Sequence, residues 1–540
     1  MIGRRGILAG TGTVAALAMA GTARASTSVL GMAEPVTSLP PGSEAPQLND
    51  VVAPGWRRDV LIRWGDPVLP GAPPFRPDDV TLSAASQQFG WDAIIAGLVK
   101  MPPADDGVRR LLMVLTHPDV QTRMAFPGGR EPAIVAGKMR PAVVAGKMQG
   151  AAVLNLAVQG GRWVVVAGGY QSRRITDGTL CRIAGPAAAS IGQTVQGVLA
   201  PSIGGVTPWN TVLLPEGHTA GWIRRLAGHA PGFGSPSVGA GFGWVVELDA
   251  ANPMSFPVKR TALGRLPRAG VACGLAADGS AVVFMSEDGP MGRLFRFKGA
   301  APAGAGEGAL DAGTLAVAAI DGSHIVWHDL PEGLPTLTAT ASAGHRESGF
   351  DAPAGMAIGA DGTLYLACRG NPGRGISQIN PLNPRAGNGA GHLLAFAPEG
   401  GDLAARRFAG RVVLLGGNPA HDSSSRYAPG STAWLRAPST LDFDGRGRLL
   451  IGTDQRGAVT DTADGLFAMR PHGGLHLLYS APVGGAVGGA AADPHGKTLF
   501  TVARHPGATR QADFAHPATR WPTVQPGMPP QTTMVSLTPG

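Results

Sequence analysis

Short runs of apolar residues recur along this chain, and each follows a turn that contains glycine. The runs are three or four residues long and are built from Val, Leu, Ile, Phe and Tyr, which favour strands. The turns mostly carry Asp-Gly, whose glycine supplies the positive φ that tight turns require. The pattern predicts short β-strands joined by tight turns. Turns and their strands lie at 160–161 and 163–166, 276–280 and 282–284, 360–363 and 364–366, 443–447 and 449–451, and 493–496 and 499–502.

Turn-and-strand units spread over most of the chain fit the blades of a β-propeller better than a single sandwich. Radial closure of a propeller also removes long exposed sheet edges. The spacing between units is irregular, and the chain length is consistent with six blades. We therefore expect an all-β protein, a six-bladed β-propeller.

The composition agrees with a large folded β-protein. Of 540 residues, 81 are Gly and 47 are Pro, which is too many for a helical bundle. Hydrophobic residues make up 44% of the chain, so it can bury a large core, and this excludes wholesale disorder.

The first 25 residues have the features of a secretory signal. Arg4 and Arg5 precede a weakly apolar run at 6–21, and Ala23-Arg24-Ala25 offers a small-x-small cleavage pattern. The paired arginines resemble a twin-arginine signal, and the run is too short and too rich in Gly and Thr to span a bilayer comfortably. We expect a periplasmic or secreted protein, exported by the twin-arginine route, with no later membrane span.

The rest of the chain divides into a proline-rich segment at 26–54 and a single propeller domain at 55–540. An amphipathic N-terminal helix is the alternative to a signal, but no acidic residue occurs before Glu34.

Within the domain, a nine-residue tandem repeat at 132–139 and 141–148 is too short for a solenoid unit, and we expect a surface helix or loop there.

Charge and cysteine content exclude several function classes. Removing residues 1–25, which carry three arginines and no acids, lowers the formal charge from +8 to +5. The basic residues are scattered without aromatic interleaving, which argues against nucleic-acid binding but allows a mild attraction for anionic small molecules. Cys181, Cys273 and Cys368 cannot form a disulfide framework, and we expect Cys273 and Cys368 to be small buried hydrophobes.

Motifs for well-known chemistries are absent from the sequence. There is no Gly-x-Ser-x-Gly elbow, His-Glu-x-x-His pair, Walker loop or EF-hand loop. Acidic residues beside strand ends are candidate ligands for a hard cation at the mouth of a propeller channel, although each alone is more typical of a turn or cap. These acids are Glu216, Glu287, Asp288, Asp351, Asp442, Asp444 and Asp454.

Several longer motifs occur in unbroken order along the chain. They are Val60-Leu-Ile-Arg-Trp-Gly-Asp-Pro67, Gln88-Phe-Gly90, Arg173-Arg-Ile-Thr176, Gly204-Gly-Val-Thr-Pro-Trp209, Pro257-Val-Lys-Arg-Thr-Ala-Leu-Gly-Arg265, Leu310-Asp-Ala-Gly-Thr-Leu315, Asn383-Pro-Arg385 with Asn388 and Gly391-His392, and His505-Pro-Gly507. In this order they resemble the PhoX-type alkaline phosphatases, and the resemblance covers essentially all of the mature chain.

The resemblance implies a six-bladed propeller with inserted helices and loops, exported by the twin-arginine route after loading metals. It also implies phosphate-ester hydrolysis by a cluster of iron and calcium, held by carboxylates and one bridging cysteine thiolate. Such cations spread the charge of a phosphoryl transition state and orient an oxygen nucleophile.

This sequence departs from the family where the metals should bind. The bridging cysteine is replaced by Ser202, and only Glu216 and Asp454 survive at clearly comparable ligand positions. The other replaced elements are His-Glu, now Arg268-Ala269; Asp-Arg-Pro-Glu, now Asp351-Ala352-Pro353-Ala354; Asn-His-Glu-Tyr, now Thr116-His117-Pro118-Asp119; Pro-Asp-Gly, now Pro438-Ser439-Thr440; and the Glu after His-Pro-Gly, now Ala508. Each lost carboxylate removes an anionic ligand, so the family's iron–calcium cluster is not expected.

Two interpretations stay open for this divergent member. In the first, a catalytically altered or inactive propeller binds a small anionic or phosphate-bearing ligand through Arg173, Arg174 and Arg268. In the second, a divergent periplasmic alkaline phosphatase keeps a reduced calcium or other divalent site, with His117 or His505 as acid or base. The candidate metal ligands of the second are Glu216, Glu287, Asp288 and Asp454.

Overall fold

The computed structural model describes residues 38–40, 43, 45–102, 105–131, 134–135, 138–139, 142–230, 232–340, 349–470 and 472–540. The predicted signal at 1–25 lies outside the described residues, as does the proline-rich segment up to residue 37.

Strands dominate the described chain. Its first half contains β1 (Val51–Val52), β2 (Trp56–Arg63), β3 (Ile94–Lys100), β4 (Arg110–His117), β5 (Ile134–Val135), β6 (Lys138–Met139), β7 (Gly150–Gln159), β8 (Arg162–Val166), β9 (Arg173–Ile175), β10 (Leu180–Ala184), β11 (Thr194–Gln196), β12 (Gly205–Val206), β13 (Val212–Pro215), β14 (Val245–Leu248) and β15 (Val258–Arg260). Its second half contains β16 (Arg268–Leu275), β17 (Ser280–Glu287), β18 (Met291–Gly292), β19 (Leu294–Pro302), β20 (Gly313–Asp321), β21 (His324–Asp329), β22 (Phe350–Asp351), β23 (Pro353–Ile358), β24 (Leu364–Cys368), β25 (His392–Pro398), β26 (Arg407–Leu415), β27 (Pro438–Phe443), β28 (Leu449–Thr453), β29 (Gly465–Met469), β30 (Leu475–Ser480), β31 (Ala486–Ala492), β32 (Leu499–Arg504) and β33 (Thr533–Pro539).

The helices of the described residues are short and lie between strands. They are α1 (Leu82–Gln87), α2 (Thr122–Ala125), α3 (Val143–Met148), α4 (Ala188–Ile191), α5 (Thr219–Leu226) and α6 (Leu334–Thr338). In this part of the chain, no helix is long and apolar enough to cross a membrane.

Six strands form a closed ring around a central cavity of about 330 Å³, here called the channel. Around the ring, β3 contacts β12, β12 contacts β16, β16 contacts β23, β23 contacts β27, β27 contacts β31, and β31 returns to β3. Apolar side chains and glycines such as Ile95, Gly97 and Ala490 face the channel, because little space is left where six strands converge.

The remaining strands extend outward from this ring as sheets. Their strand orders are β3-β4-β7-β8 with β9 beside β7, β11-β10-β15-β14-β13-β12, β16-β17-β19-β20-β21-β26-β25-β24-β23, β1-β30-β29-β28-β27, and β2-β33-β32-β31. The predicted all-β, propeller-like architecture is therefore confirmed. The number of six blades stays a prediction, because the nine-stranded sheet supplies two of the inner strands.

The sheet that contains β31 joins strands from the two ends of the described chain. β2 pairs antiparallel with β33, with Val60 opposite Val535 and Arg63 opposite Thr533. The sheet therefore takes one strand from the start of the chain and three from its end.

The second copy of the tandem repeat is not on the surface as expected. It forms α3, in which Val143, Val144, Ala145 and Met148 are buried in a cluster with Trp91 and Trp222. The first copy pairs β5 with β6 where it is described. Because the helix is packed on one side by aromatic residues, the apolar repeat stabilises the core.

Candidate functional site

A second cavity of about 520 Å³, here called the mouth, lies where the inner strands begin. The first residues of β3 and β16, Ile94 and Arg268, line it together with Ser439 near the start of β27. Loops after β4, β17, β24 and β28 add Asp119, Asp288, Arg369, Asp454 and Arg456 to its lining. The propeller therefore brings side chains from distant parts of the chain together at one end of the channel.

Arg504, the last residue of β32, joins two carboxylates at the mouth. Its Nε and Nη2 donate to the two oxygens of Asp92 at 2.6 and 3.0 Å, and its Nη1 donates to Asp454 Oδ2 at 2.7 Å. All three side chains are at most 10% exposed. Burial alone would raise the pKa of Asp454, but Arg504, His505 and Arg369 hold that pKa well below its ordinary value.

A second cluster is centred on Asp288, just beyond β17. Its carboxylate accepts from Arg369 Nη2 at 2.6 Å and lies 3.0 Å from His218 Nε2. Burial would raise the pKa of Asp288, but His218 and Arg369 lower it overall. The hydrogen bond that His218 donates to Asp288 in turn raises the pKa of His218. Asp288 therefore lies between a guanidinium and an imidazole that is positively charged only when protonated.

Arg456 differs from the other arginines that line the mouth, because its guanidinium has no partner among the described residues. Its backbone has φ of 55°, and its N–H donates to Asp454 Oδ1 at 2.8 Å. The side chain is exposed and lines the mouth. Arg456 can therefore donate to a ligand without breaking an ion pair.

Glu216 and Glu287, which we considered as metal ligands, are occupied by structural partners. Glu216 is fully buried and accepts from Lys259 Nζ at 2.8 Å and from the N–H groups of Leu199 and Gly243 at 3.0 and 2.8 Å. Glu287 accepts two hydrogen bonds of 2.8 Å from Arg293. Of the four predicted ligands, only Asp288 and Asp454 line the mouth.

The three arginines predicted to bind an anion are held by backbone carbonyl groups. Arg173 donates to the carbonyls of Asp249, Pro253 and Ser255. Arg174 donates to four carbonyls at 147–149 and 151, and its burial lowers its pKa to about 9. Arg268 is fully buried, and its terminal nitrogens donate to four carbonyls between 243 and 266. Backbone carbonyls therefore accept from the terminal nitrogens of all three arginines, and anion binding by these arginines stays a prediction.

The two predicted histidines have different positions. His117 is fully buried, with Nδ1 3.1 Å from the Trp91 carbonyl oxygen, and its pKa is well below the ordinary value because of burial and Arg174. It does not line the mouth, so it cannot reach a ligand there. His505 does line the mouth, and its Nδ1 lies 3.2 Å from the Gly484 carbonyl oxygen.

The donor set at the mouth does not fit the iron–calcium cluster that the resemblance implies. Ser202 Oγ, at the position of the bridging thiolate, donates to the Arg268 carbonyl at 2.8 Å. Ala269 and Ala354 offer no ligand atoms where the family carries carboxylates. Across the described ranges, no group of three or more His, Cys, Asp or Glu side chains could hold a metal ion. Of the carboxylates that line the mouth, Asp92, Asp288 and Asp454 are paired with arginine, whereas no described arginine pairs with Asp119.

Sequence reasoning missed Asp92, His218, Arg369, Arg456 and Arg504 as residues of the mouth. None of them stands in a spacing that indicates chemistry. Arg504 directly precedes the His505-Pro-Gly507 motif, which was the only signal that could have pointed to it.

Comparison with known proteins agrees with this architecture. The chain matches a solved structure described as Pseudomonas fluorescens PhoX in complex with vanadate, a transition state analogue, with 25% identity and a TM-score of 0.81. That match covers 93% of this chain and 97% of the other. A gluconolactonase from Xanthomonas campestris matches with 12% identity, a TM-score of 0.30, and coverage of 83% and 98%. No curated protein matches the chain.

The family comparison covers the propeller and the mouth together. The sequence profile of the family described as alkaline phosphatase PhoX matches residues 40–507. This range contains all six inner strands and the Arg504 cluster. The chain therefore belongs to the PhoX alkaline phosphatase family.

Proposed function

We propose that this protein binds a small phosphate-bearing anion at the mouth and does not hydrolyse phosphate esters by the metal chemistry of its family. The observation that carries the proposal is the pairing of the acids there. Arg504 pairs with both Asp92 and Asp454, whereas no described residue pairs with the guanidinium of Arg456.

The physical reason lies in what each charge can still bind. A carboxylate that accepts one or two short hydrogen bonds from an arginine side chain must lose them before it can bind a metal ion, and a buried pair is costly to break. Arg456, in contrast, presents a planar fork of donors that matches the oxygens of a phosphate. His218 adds positive charge nearby when protonated.

Family membership also supports an exported location for this protein. Because members of the family are exported, and because Arg4 and Arg5 fit a twin-arginine signal, we infer export to the periplasm or secretion. Residues 55–540 would then act as a single propeller domain after removal of 1–25.

Anion binding is tested by titration calorimetry on the purified protein after dialysis against EDTA. The probes are inorganic phosphate and vanadate, since the Pseudomonas fluorescens relative is described in complex with vanadate. We expect both to bind without metal, and Arg456→Gln to weaken binding roughly tenfold, as for one charge-assisted hydrogen bond of ~1.5 kcal/mol. Arg76→Gln is the control, because it removes the same charge from an exposed position that does not line the mouth.

Hydrolysis is tested in parallel with p-nitrophenyl phosphate and elemental analysis. We expect no turnover before or after addition of calcium and ferric iron. Stoichiometric bound metal together with turnover would overturn the proposal and support the interpretation as a divergent phosphatase.

A further inference from the structure

The mouth is not a single pocket but one of three cavities that meet at Arg456. A cavity of about 770 Å³, the side lobe, shares Arg369 and Asp454 with the mouth. Another of about 600 Å³, the rim lobe, shares Asp119 and Arg225 with it. Arg456 lines all three cavities. Together they far exceed the space that one phosphate group needs, so a ligand of ordinary organic size fits.

Arg456 is fixed at this junction by the loop between β28 and β29. Asp464 accepts from Thr453 Oγ1 at 2.7 Å and from the Gln455 N–H at 3.0 Å. Gln455 Nε2 donates to the Thr462 carbonyl at 3.0 Å, closing the loop on itself. A guanidinium carried by such a loop loses little backbone freedom on binding a ligand.

The rim lobe holds a second arginine with a free guanidinium. Arg510 is exposed and lines the rim lobe, and no described residue pairs with its side chain. The segment that carries it is held by Arg123, whose Nη2 donates to the Thr509 carbonyl at 2.6 Å. In the side lobe, by comparison, Arg369 is paired with Asp288 and Arg436 lies 3.9 Å from Asp461. The rim lobe is therefore where a second anionic group is best received.

The groups between the mouth and the rim lobe restrict what connects the two anionic groups. Asp119, Gln121 and Arg225 line both cavities, so they lie where the mouth passes into the rim lobe, and Arg225 lies 3.6 Å from Glu131. A negative charge beside the Asp119 carboxylate would be repelled, whereas hydroxyl groups can donate to that carboxylate and to the amide of Gln121.

We propose that the natural ligand is a sugar or polyol bisphosphate. One phosphate lies in the mouth against Arg456, the hydroxyl-bearing middle passes Asp119 and Gln121, and the other phosphate reaches Arg510 in the rim lobe. This inference rests on the proposed function, since it assumes that the mouth binds an anion.

The test compares fructose 1,6-bisphosphate, fructose 6-phosphate and inorganic phosphate by titration calorimetry on the full protein. We expect the bisphosphate to bind at least tenfold more tightly than the monophosphate. Arg510→Gln should remove this advantage and leave inorganic phosphate binding unchanged, Arg456→Gln should weaken all three, and Arg76→Gln should change none.

Two outcomes separate the failure of this inference from failure of the proposed function. Equal affinity for the two sugar phosphates, or an unchanged preference in Arg510→Gln, would overturn the bisphosphate ligand while anion binding stands. Absence of binding by inorganic phosphate and vanadate would overturn anion binding at the mouth and the bisphosphate with it.

Discussion

Arg504 supplies the positive charge that two buried carboxylates of the mouth require. Its guanidinium contacts Asp92, which precedes β3, and Asp454, which follows β28, so it links three segments of the ring. In a metal-binding relative, cations would meet this need. In this protein the guanidinium of Arg504 supplies that positive charge, and a guanidinium offers no coordination position to a substrate.

The first prediction concerns the substitution Arg504→Met. It leaves Asp92 and Asp454 buried without a counter-charge, so the free energy of unfolding should fall by about 3–5 kcal/mol. Calcium should restore part of the loss, because the freed carboxylate oxygens are ligands that it prefers. Urea unfolding with and without calcium measures both effects.

Arg110→Met is the matched control, because Arg110 pairs with Asp106 on the surface. We expect its stability to be nearly that of the wild type, with no response to calcium. A stability of Arg504→Met equal to that of the control would refute the role of Arg504.

The second prediction tests whether Glu216 is structural or a metal ligand. Glu216→Ala removes the partner of buried Lys259 and the acceptor of three backbone N–H groups, so we expect a loss of about 3–5 kcal/mol. Chemical unfolding with and without EDTA should give the same loss. A loss that disappears when EDTA is present would instead assign Glu216 to a metal site.

Single residues were the part of the site that the sequence could predict least. Asp454 was identified as a survivor of the ligand set, and it does line the mouth. Arg174 and Arg268 stand in motifs that look equally functional, but their donors face carbonyls. Sequence does not distinguish these cases, because the direction of a guanidinium depends on tertiary packing.

The loop from Asp454 to Asp464 is the element on which the candidate site depends most. Burial raises the pKa of Asp464 to about 7, and repulsion from Asp454 adds to the shift. Between the ordinary aspartate pKa and about 7, the folded state therefore binds more protons than the unfolded state, so stability falls as pH rises through this range.

The third prediction is that Asp464→Asn removes this part of the pH dependence. The amide cannot ionise, so the free energy of unfolding of the variant should decline less between pH 5 and pH 8 than that of the wild type. Urea unfolding across this range measures the difference in slope. Equal slopes for Asp464→Asn and the wild type would refute this role of Asp464.

Elements were predicted best where the signal is local. At the turns before β17, β24 and β28, an aspartate accepts from a backbone N–H two or four residues ahead, at 2.9, 3.0 and 2.8 Å. Such turns are encoded by neighbouring residues, and the strands that follow them were found as predicted. The buried helix α3 was not, because the aromatic residues that cover it come from distant parts of the chain.

At the scale of the whole molecule, the propeller depends on the pairing of β33 with β2, which no local sequence pattern reveals. β33, at the end of the chain, lies between β2 and β32. Its residues Met534, Val535 and Leu537 are at most 1% exposed, so the strand contributes core as well as hydrogen bonds. A propeller was predictable from repeated turns and strands, but the strand that closes it was not.

The fourth prediction therefore concerns deletion of residues 533–540. Without β33, the edges of β2 and β32 lose their partners and the core beneath them is exposed, so the truncated protein should lose its cooperative thermal transition and aggregate. A synthetic peptide of residues 533–540, added during refolding, should restore the transition by strand addition. A peptide with Val535 replaced by Asp is the control and should fail, because Val535 is buried between Val60 and Thr501. A truncated protein that melts like the wild type would mean that the propeller is stable without the pairing of β33 with β2 and β32.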